Sequence, residues 1–127
     1  MLSERDYSDN AGNTFNEGGY GSSFAFRQVD GYSYLITNQH VVGELEQNLN
    51  GKIYNRNNVN IKIIDSKFDN NKDDDIPLEI VFESKELDMA ILRTEQKLNF
   101  LPEKNIQLSS DLKYGEEVYL VGYPLGM

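Results

Sequence analysis

The chain has 127 residues, the length of one ordinary domain, with 39% hydrophobic and 26% charged residues. A net charge of −9 opposes nucleic-acid backbones and anionic membrane surfaces, and no Lys/Arg cluster offsets it. No cysteine is present, which excludes disulfides, cysteine-bound metals and a thiolate nucleophile within this chain, and no apolar run approaches the ~20 residues that span a bilayer.

Residues 1–19 are polar and rich in Gly, Asn, Ser and Asp, and their composition predicts a flexible or loosely docked arm. They hold no apolar stretch that would serve as a signal peptide. A cytoplasmic location is the expectation if Met1 is the native start.

From Tyr20 the pattern becomes short alternating segments bounded by Gly, Asn or Asp. Phe24 and Phe26, two apart, mark a strand over 22–28. Asp30-Gly31 is a hairpin turn signal, and 32–37 reads as the partner strand. A helical turn fits within 41–49. A short strand is expected at 53–54. Residues 59–64 alternate with Val59, Ile61 and Ile63 on one face. Residues 76–82 form another strand with Pro77 near its start, where proline is tolerated. The apolar run 89–92 predicts a strand buried on both faces, and 117–121 is the last strand before a Gly-Tyr-Pro-Leu-Gly exit. Six or seven short strands without helical periodicity predict an all-β fold, a barrel or a sandwich.

Three segments carry chemistry. The first is Tyr34-Leu35-Ile36-Thr37-Asn38-Gln39-His40-Val41-Val42, behind the Gly21-Ser22-Ser23-Phe24 hairpin. His40 is the single histidine, and imidazole suits proton transfer near neutral pH; a structural or merely exposed histidine is the plainer reading. The second is Glu86-Leu87-Asp88-Met89-Ala90-Ile91-Leu92, where Asp88 precedes an apolar strand as a solvated acid or one held at the core's rim. The third runs from Tyr114-Gly115-Glu116-Glu117-Val118 to Val121-Gly122-Tyr123-Pro124-Leu125-Gly126.

In this order and spacing, the three segments resemble the trypsin-like serine peptidases of the HtrA type, over residues 20–127. That family shows L-T-N-x-H-V-V, then D-x-A-[IVL]-L, then V-G-x-x-V-x-x-[IV]-G-x-P-x-G. The resemblance implies a six-stranded antiparallel β-barrel over 20–127, the N-terminal half of a two-barrel chymotrypsin-like fold. It implies that His40 is the general base and Asp88 the residue that orients it, with a polypeptide as substrate and no metal or cofactor. Ser23 stands where the family often has glycine. The family's nucleophile motif, G-x-S-G-G, is absent from this sequence, since Ser22 and Ser23 belong to the first hairpin and Ser109 and Ser110 precede a turn. The implied nucleophile and oxyanion hole belong to a second barrel outside the chain, so the chain alone is expected to be inactive. It is also expected to self-associate or to pair with that second barrel. Other readings are a truncated non-catalytic barrel serving as a binding module, and a cysteine-nucleophile relative on the same fold. A calcium-binding β domain built on the acidic stretch 69–75 is a further one, though the stretch lacks the glycine and distal glutamate of an EF-hand.

Overall fold

The computed structural model of the chain describes residues 1–64, 75–99, 107 and 109–119. Among these, eight strands form in chain order with one α-helical turn between them and a 3-10 turn at Ser109–Asp111. They are β1 (Leu2–Ser8), β2 (Thr14–Tyr20), β3 (Phe24–Val29), β4 (Tyr32–Thr37), α1 (Gln39–Val42), β5 (Glu46–Leu49), β6 (Lys52–Ile63), β7 (Ile76–Ser84) and β8 (Met89–Thr94). Every pairing is antiparallel, and the strands follow the order β2-β1-β6-β7-β8-β4-β3, with β5 added on β6. The fold is therefore all-β, as the alternation predicts. Among the described residues, however, the sheet carries eight strands rather than six and does not close.

The two extra strands come from residues expected to be a flexible or loosely docked arm. Instead, β1 and β2 pair over seven positions, from Leu2↔Tyr20 to Ser8↔Thr14, and β1 also pairs with β6. The turn between them is held by Asp9, whose carboxylate accepts hydrogen bonds from the backbone N–H of Ala11 (3.0 Å) and Asn13 (2.8 Å). Alternation in β1 turns Ser3, Arg5 and Tyr7 inward. Two of these three are polar, so a period-2 apolar signal is missing although the strand is real. Polar inward positions are tolerated because each side chain finds a carbonyl partner, although Arg5 Nε is left without one among the described residues.

Two hairpins use the same turn chemistry. Asp30 (φ 52°) and Gly31 (φ 82°) join β3 to β4, while Asn50 (φ 53°) and Gly51 (φ 82°) join β5 to β6. Two successive left-handed residues match the right-handed twist of the flanking strands. The Asp30-Gly31 turn falls where the sequence predicts it. The 41–49 stretch is only partly helical: α1 ends at Val42 and 46–49 is a strand.

Ala25, Leu35, Val42, Ile61, Ala90 and Leu92 make the buried core, with Val59, Ile63, Leu78 and Ile80 packed around it. Val59, Ile61 and Ile63 thus share the inward face, as their spacing predicts. In β3 the inward residue is Ala25, while Phe24 is half exposed, so the two phenylalanines mark the strand without building its core. In β8 only Ala90, Leu92 and Thr94 are fully buried, and Met89 and Ile91 are half-buried, so this strand has one core face rather than two. The long strand β7 pairs with β6 through Ile76–Leu78 and with β8 from Glu79 onward, which carries the sheet around a corner. Glu117, Val118 and Tyr119 take no strand conformation. The rest of the expected 117–121 strand, the Gly122–Gly126 exit and residues 69–74 of the acidic stretch lie outside the described residues; Asp75 ion-pairs with Lys62 at 2.9 Å.

Candidate active site

Strand β4 ends at Thr37, whose hydroxyl donates to the Ser22 carbonyl at 2.8 Å and ties β4 to the start of the β3 hairpin. Asn38 follows in extended conformation (φ −84°, ψ 145°) as the residue before α1. A four-residue helix makes almost no internal hydrogen bonds, so its ends must be satisfied from elsewhere. This requirement organises the site.

Asp88 satisfies the N-terminal end. It closes the turn between β7 and β8, with its N–H donating to the Lys85 carbonyl at 3.1 Å. Its φ is +48°, a left-handed conformation that Asp tolerates better than most residues. One carboxylate oxygen, Oδ1, accepts the backbone N–H of His40 at 3.0 Å. The other, Oδ2, lies 2.8 Å from His40 Nδ1. The Asn38 amide donates to the Asp88 carbonyl at 3.1 Å and reaches Oδ2 at 3.4 Å. The His40 backbone N–H, then its ring, hold the Asp88 carboxyl below the usual carboxylate range, so it is ionised at neutral pH. In a neutral ring, a carboxylate acceptor at Nδ1 favours the proton on that nitrogen and leaves Nε2 as the unprotonated one. The His40 side chain remains 64% exposed, so the ring is open to an incoming group.

The C-terminal end of α1 is satisfied by side chains of β1 and β6. Arg5 Nη1 donates to the Val41 carbonyl at 3.3 Å, and the Ser3 hydroxyl donates to the Val42 carbonyl at 3.0 Å. Arg56 Nη1 donates to the Gly43 carbonyl at 2.8 Å, joined by Gln39 Nε2 at 3.0 Å. The Tyr7 hydroxyl donates to the Glu44 carbonyl at 2.7 Å. Two ion pairs anchor these donors, one buried (Arg56–Glu83) and one whose carboxylate is partly exposed (Arg5–Glu17). Arg5 pairs with Glu17 at 2.7 Å, and Arg56 pairs bidentately with Glu83 at 2.7 and 2.8 Å. The Arg56 guanidinium lowers the Glu83 carboxyl; Gln47 first, and then Arg5, lower that of Glu17.

The structure thus brings together His40 and Asp88, the two residues the sequence singles out. Sequence reasoning missed Asn38, Gln39, Arg56, Glu83 and the inward side chains of β1. Asn38 stands where helix-start signals place Asn, but its side chain makes no cap bond and its amide reaches Asp88 instead. The others also make contacts across as many as 44 positions, which no local pattern reveals.

Residues 21–127 match the family model described as "Trypsin-like peptidase domain". The chain belongs to the trypsin-like peptidase family. Among curated proteins it is similar to "Serine protease Do-like HtrA" of Bacillus subtilis (strain 168), with 32% identity over 110 residues. Those residues are 87% of this chain and 20% of that protein, so the chain spans about a fifth of this relative's length. No solved structure matches it. The His40 and Asp88 segments both lie within the part matched to the trypsin-like peptidase model. The β1–β2 hairpin lies ahead of that part.

Proposed function

We propose that this chain is the histidine- and aspartate-bearing part of a serine endopeptidase. His40 is its general base and Asp88 the residue that orients and stabilises the imidazole. The observation that carries this reading is the contact of His40 Nδ1 with the Asp88 carboxylate, with the ring otherwise exposed. In the serine-peptidase mechanism the imidazole takes the hydroxyl proton as serine attacks the scissile carbonyl, then returns it to the leaving amine. The carboxylate selects the tautomer and stabilises the imidazolium. Here Asp88 serves both ends of that task. It faces the ring, and its second oxygen binds the backbone N–H of the same residue, so ring and backbone are held as one unit.

The serine and the oxyanion-hole amides come from a second barrel outside these 127 residues. Tyr114, Val118 and Tyr119 are apolar and strongly exposed, as suits a segment that packs on a neighbouring barrel. Without those parts the chain has a base and no nucleophile, so it does not cleave peptides by itself. A non-catalytic barrel acting as a binding module is the alternative.

Two measurements test the reading. First, the gene sequence beyond residue 127 should encode G-x-S-G-G within about one more domain length. A stop codon, or a following domain without a nucleophile, would favour the binding module. Second, the chain alone should show no casein cleavage and no labelling by a fluorophosphonate probe. Specific labelling of a serine within the 127 residues would overturn the division of labour between the barrels.

A further inference from the structure

Ser3, Arg5 and Tyr7 alternate along β1, and all three are buried. Their polar atoms do not pair with one another's strand neighbours at random. Each reaches one carbonyl in the run that follows His40: Val41 from Arg5, Val42 from Ser3 and Glu44 from Tyr7. The fit is close. A Cβ on Gly43 would lie 2.5 Å from Arg5 Nε, and one on Gly21 would lie 2.3 Å from Val41 Cγ1. Arg5 itself is fixed by Glu17 on β2 at 2.7 Å and by Ser3 at 3.3 Å, so the whole hairpin supports the contact. A short helix pinned at both ends has one orientation. Asp88 and Asn38 hold its start, and the hairpin holds its end.

We propose that Arg5 is a positioning residue for His40, and that the β1–β2 hairpin sets the imidazole against Asp88 by binding the carbonyls at the end of α1. This deepens the functional reading above and rests on it. The hairpin lies outside the residues matched to the trypsin-like peptidase model, so the device is additional to that domain. Arg5 acts through the helix and touches no reacting group. With its guanidinium removed, the Val41 carbonyl loses its side-chain donor, α1 gains freedom to tilt, and the imidazole loses its fixed distance to the carboxylate.

The single histidine makes the test direct. Ring 15N spectra of the full chain report which nitrogen of His40 carries the proton. The unaltered chain is expected to show the Nδ1–H tautomer; its absence would overturn the His40–Asp88 reading itself rather than this inference alone. Arg5→Met should shift the ring toward the Nε2–H tautomer, and Arg5→Lys should recover part of the Nδ1–H population. Leu78→Ala, which weakens the core but removes no hydrogen bond to α1, should leave the tautomer unchanged. Tyr7→Phe removes one hydroxyl and serves if Arg5→Met does not fold; it should produce a smaller shift in the same direction. If Arg5→Met, or Tyr7→Phe in its place, leaves the tautomer as in the unaltered chain, the inference fails. It also fails if Leu78→Ala shifts the tautomer as much as they do.

Discussion

His40 Nδ1 and Asp88 Oδ2 stand 2.8 Å apart although 48 positions of chain separate them, and the same carboxylate also holds the His40 backbone N–H. The pair is therefore fixed through both ring and backbone. Replacing Asp88 with Asn should keep a group of the same size but put an amide donor where the acceptor stood. The ring should then adopt the Nε2–H tautomer, which cannot accept a serine proton at Nε2. In the proposed peptidase, with this chain joined to the proposed nucleophile-bearing barrel, casein cleavage should fall about 10⁴-fold. A variant retaining more than a tenth of the activity would remove Asp88 from the mechanism.

Arg56 and Glu83 are both largely buried, and together with Gln39 they support the Gly43 carbonyl. Glu83→Ala leaves a buried guanidinium without its counter-charge. The expected loss in urea unfolding is about 3 kcal/mol, because an orphaned buried charge costs more than the pair contributes. The double variant Arg56→Met with Glu83→Leu should recover part of that loss. A single-variant loss comparable to a surface substitution would show that the pair is solvated.

Acid should destabilise the chain through specific carboxylates. Glu83 (by Arg56), Glu17 (by Gln47, then Arg5) and Asp88 (by the His40 N–H) are all held below their usual values in the folded state. A depressed folded value means that protons bind the unfolded chain more readily. The stability these groups provide is complete above their unfolded values, near about 4, and is lost as pH falls through the folded ones. Urea midpoints measured from pH 7 to pH 3 should decline below about pH 5. Glu83→Gln should flatten that acid limb; an unchanged limb would assign the loss to other groups.

Two glycines with positive φ should respond differently to alanine. Gly43 (φ 115°) has Arg5 within 2.5 Å of where a Cβ would stand, whereas Gly31 (φ 82°) has open space. Gly43→Ala combines backbone strain with displacement of the Arg5 side chain, and should cost upwards of about 2 kcal/mol. Gly31→Ala carries the backbone cost alone, roughly 1 kcal/mol. Equal losses in thermal or urea unfolding would mean that the Arg5–Gly43 approach is looser than described.

The sequence by itself determined the elements whose signals are local. Asp30-Gly31 specified a turn because two left-handed residues are cheap only for such pairs, and Val59, Ile61 and Ile63 specified a core face because strand side chains alternate. His40 and Asp88 were legible only because their segments, in order with the third, resemble one family's pattern; alone, each has a plainer reading. Only the tertiary structure decided the role of the first twenty residues. Ser3 and Arg5 are polar, so hydropathy assigned them to solvent. They are buried because α1 is too short to satisfy its own carbonyls, and these side chains supply the missing donors. That demand comes from the far end of another element. Nothing in the order of residues 1–19 can announce it, since a hydrogen bond across 36 or 39 positions leaves no periodic trace.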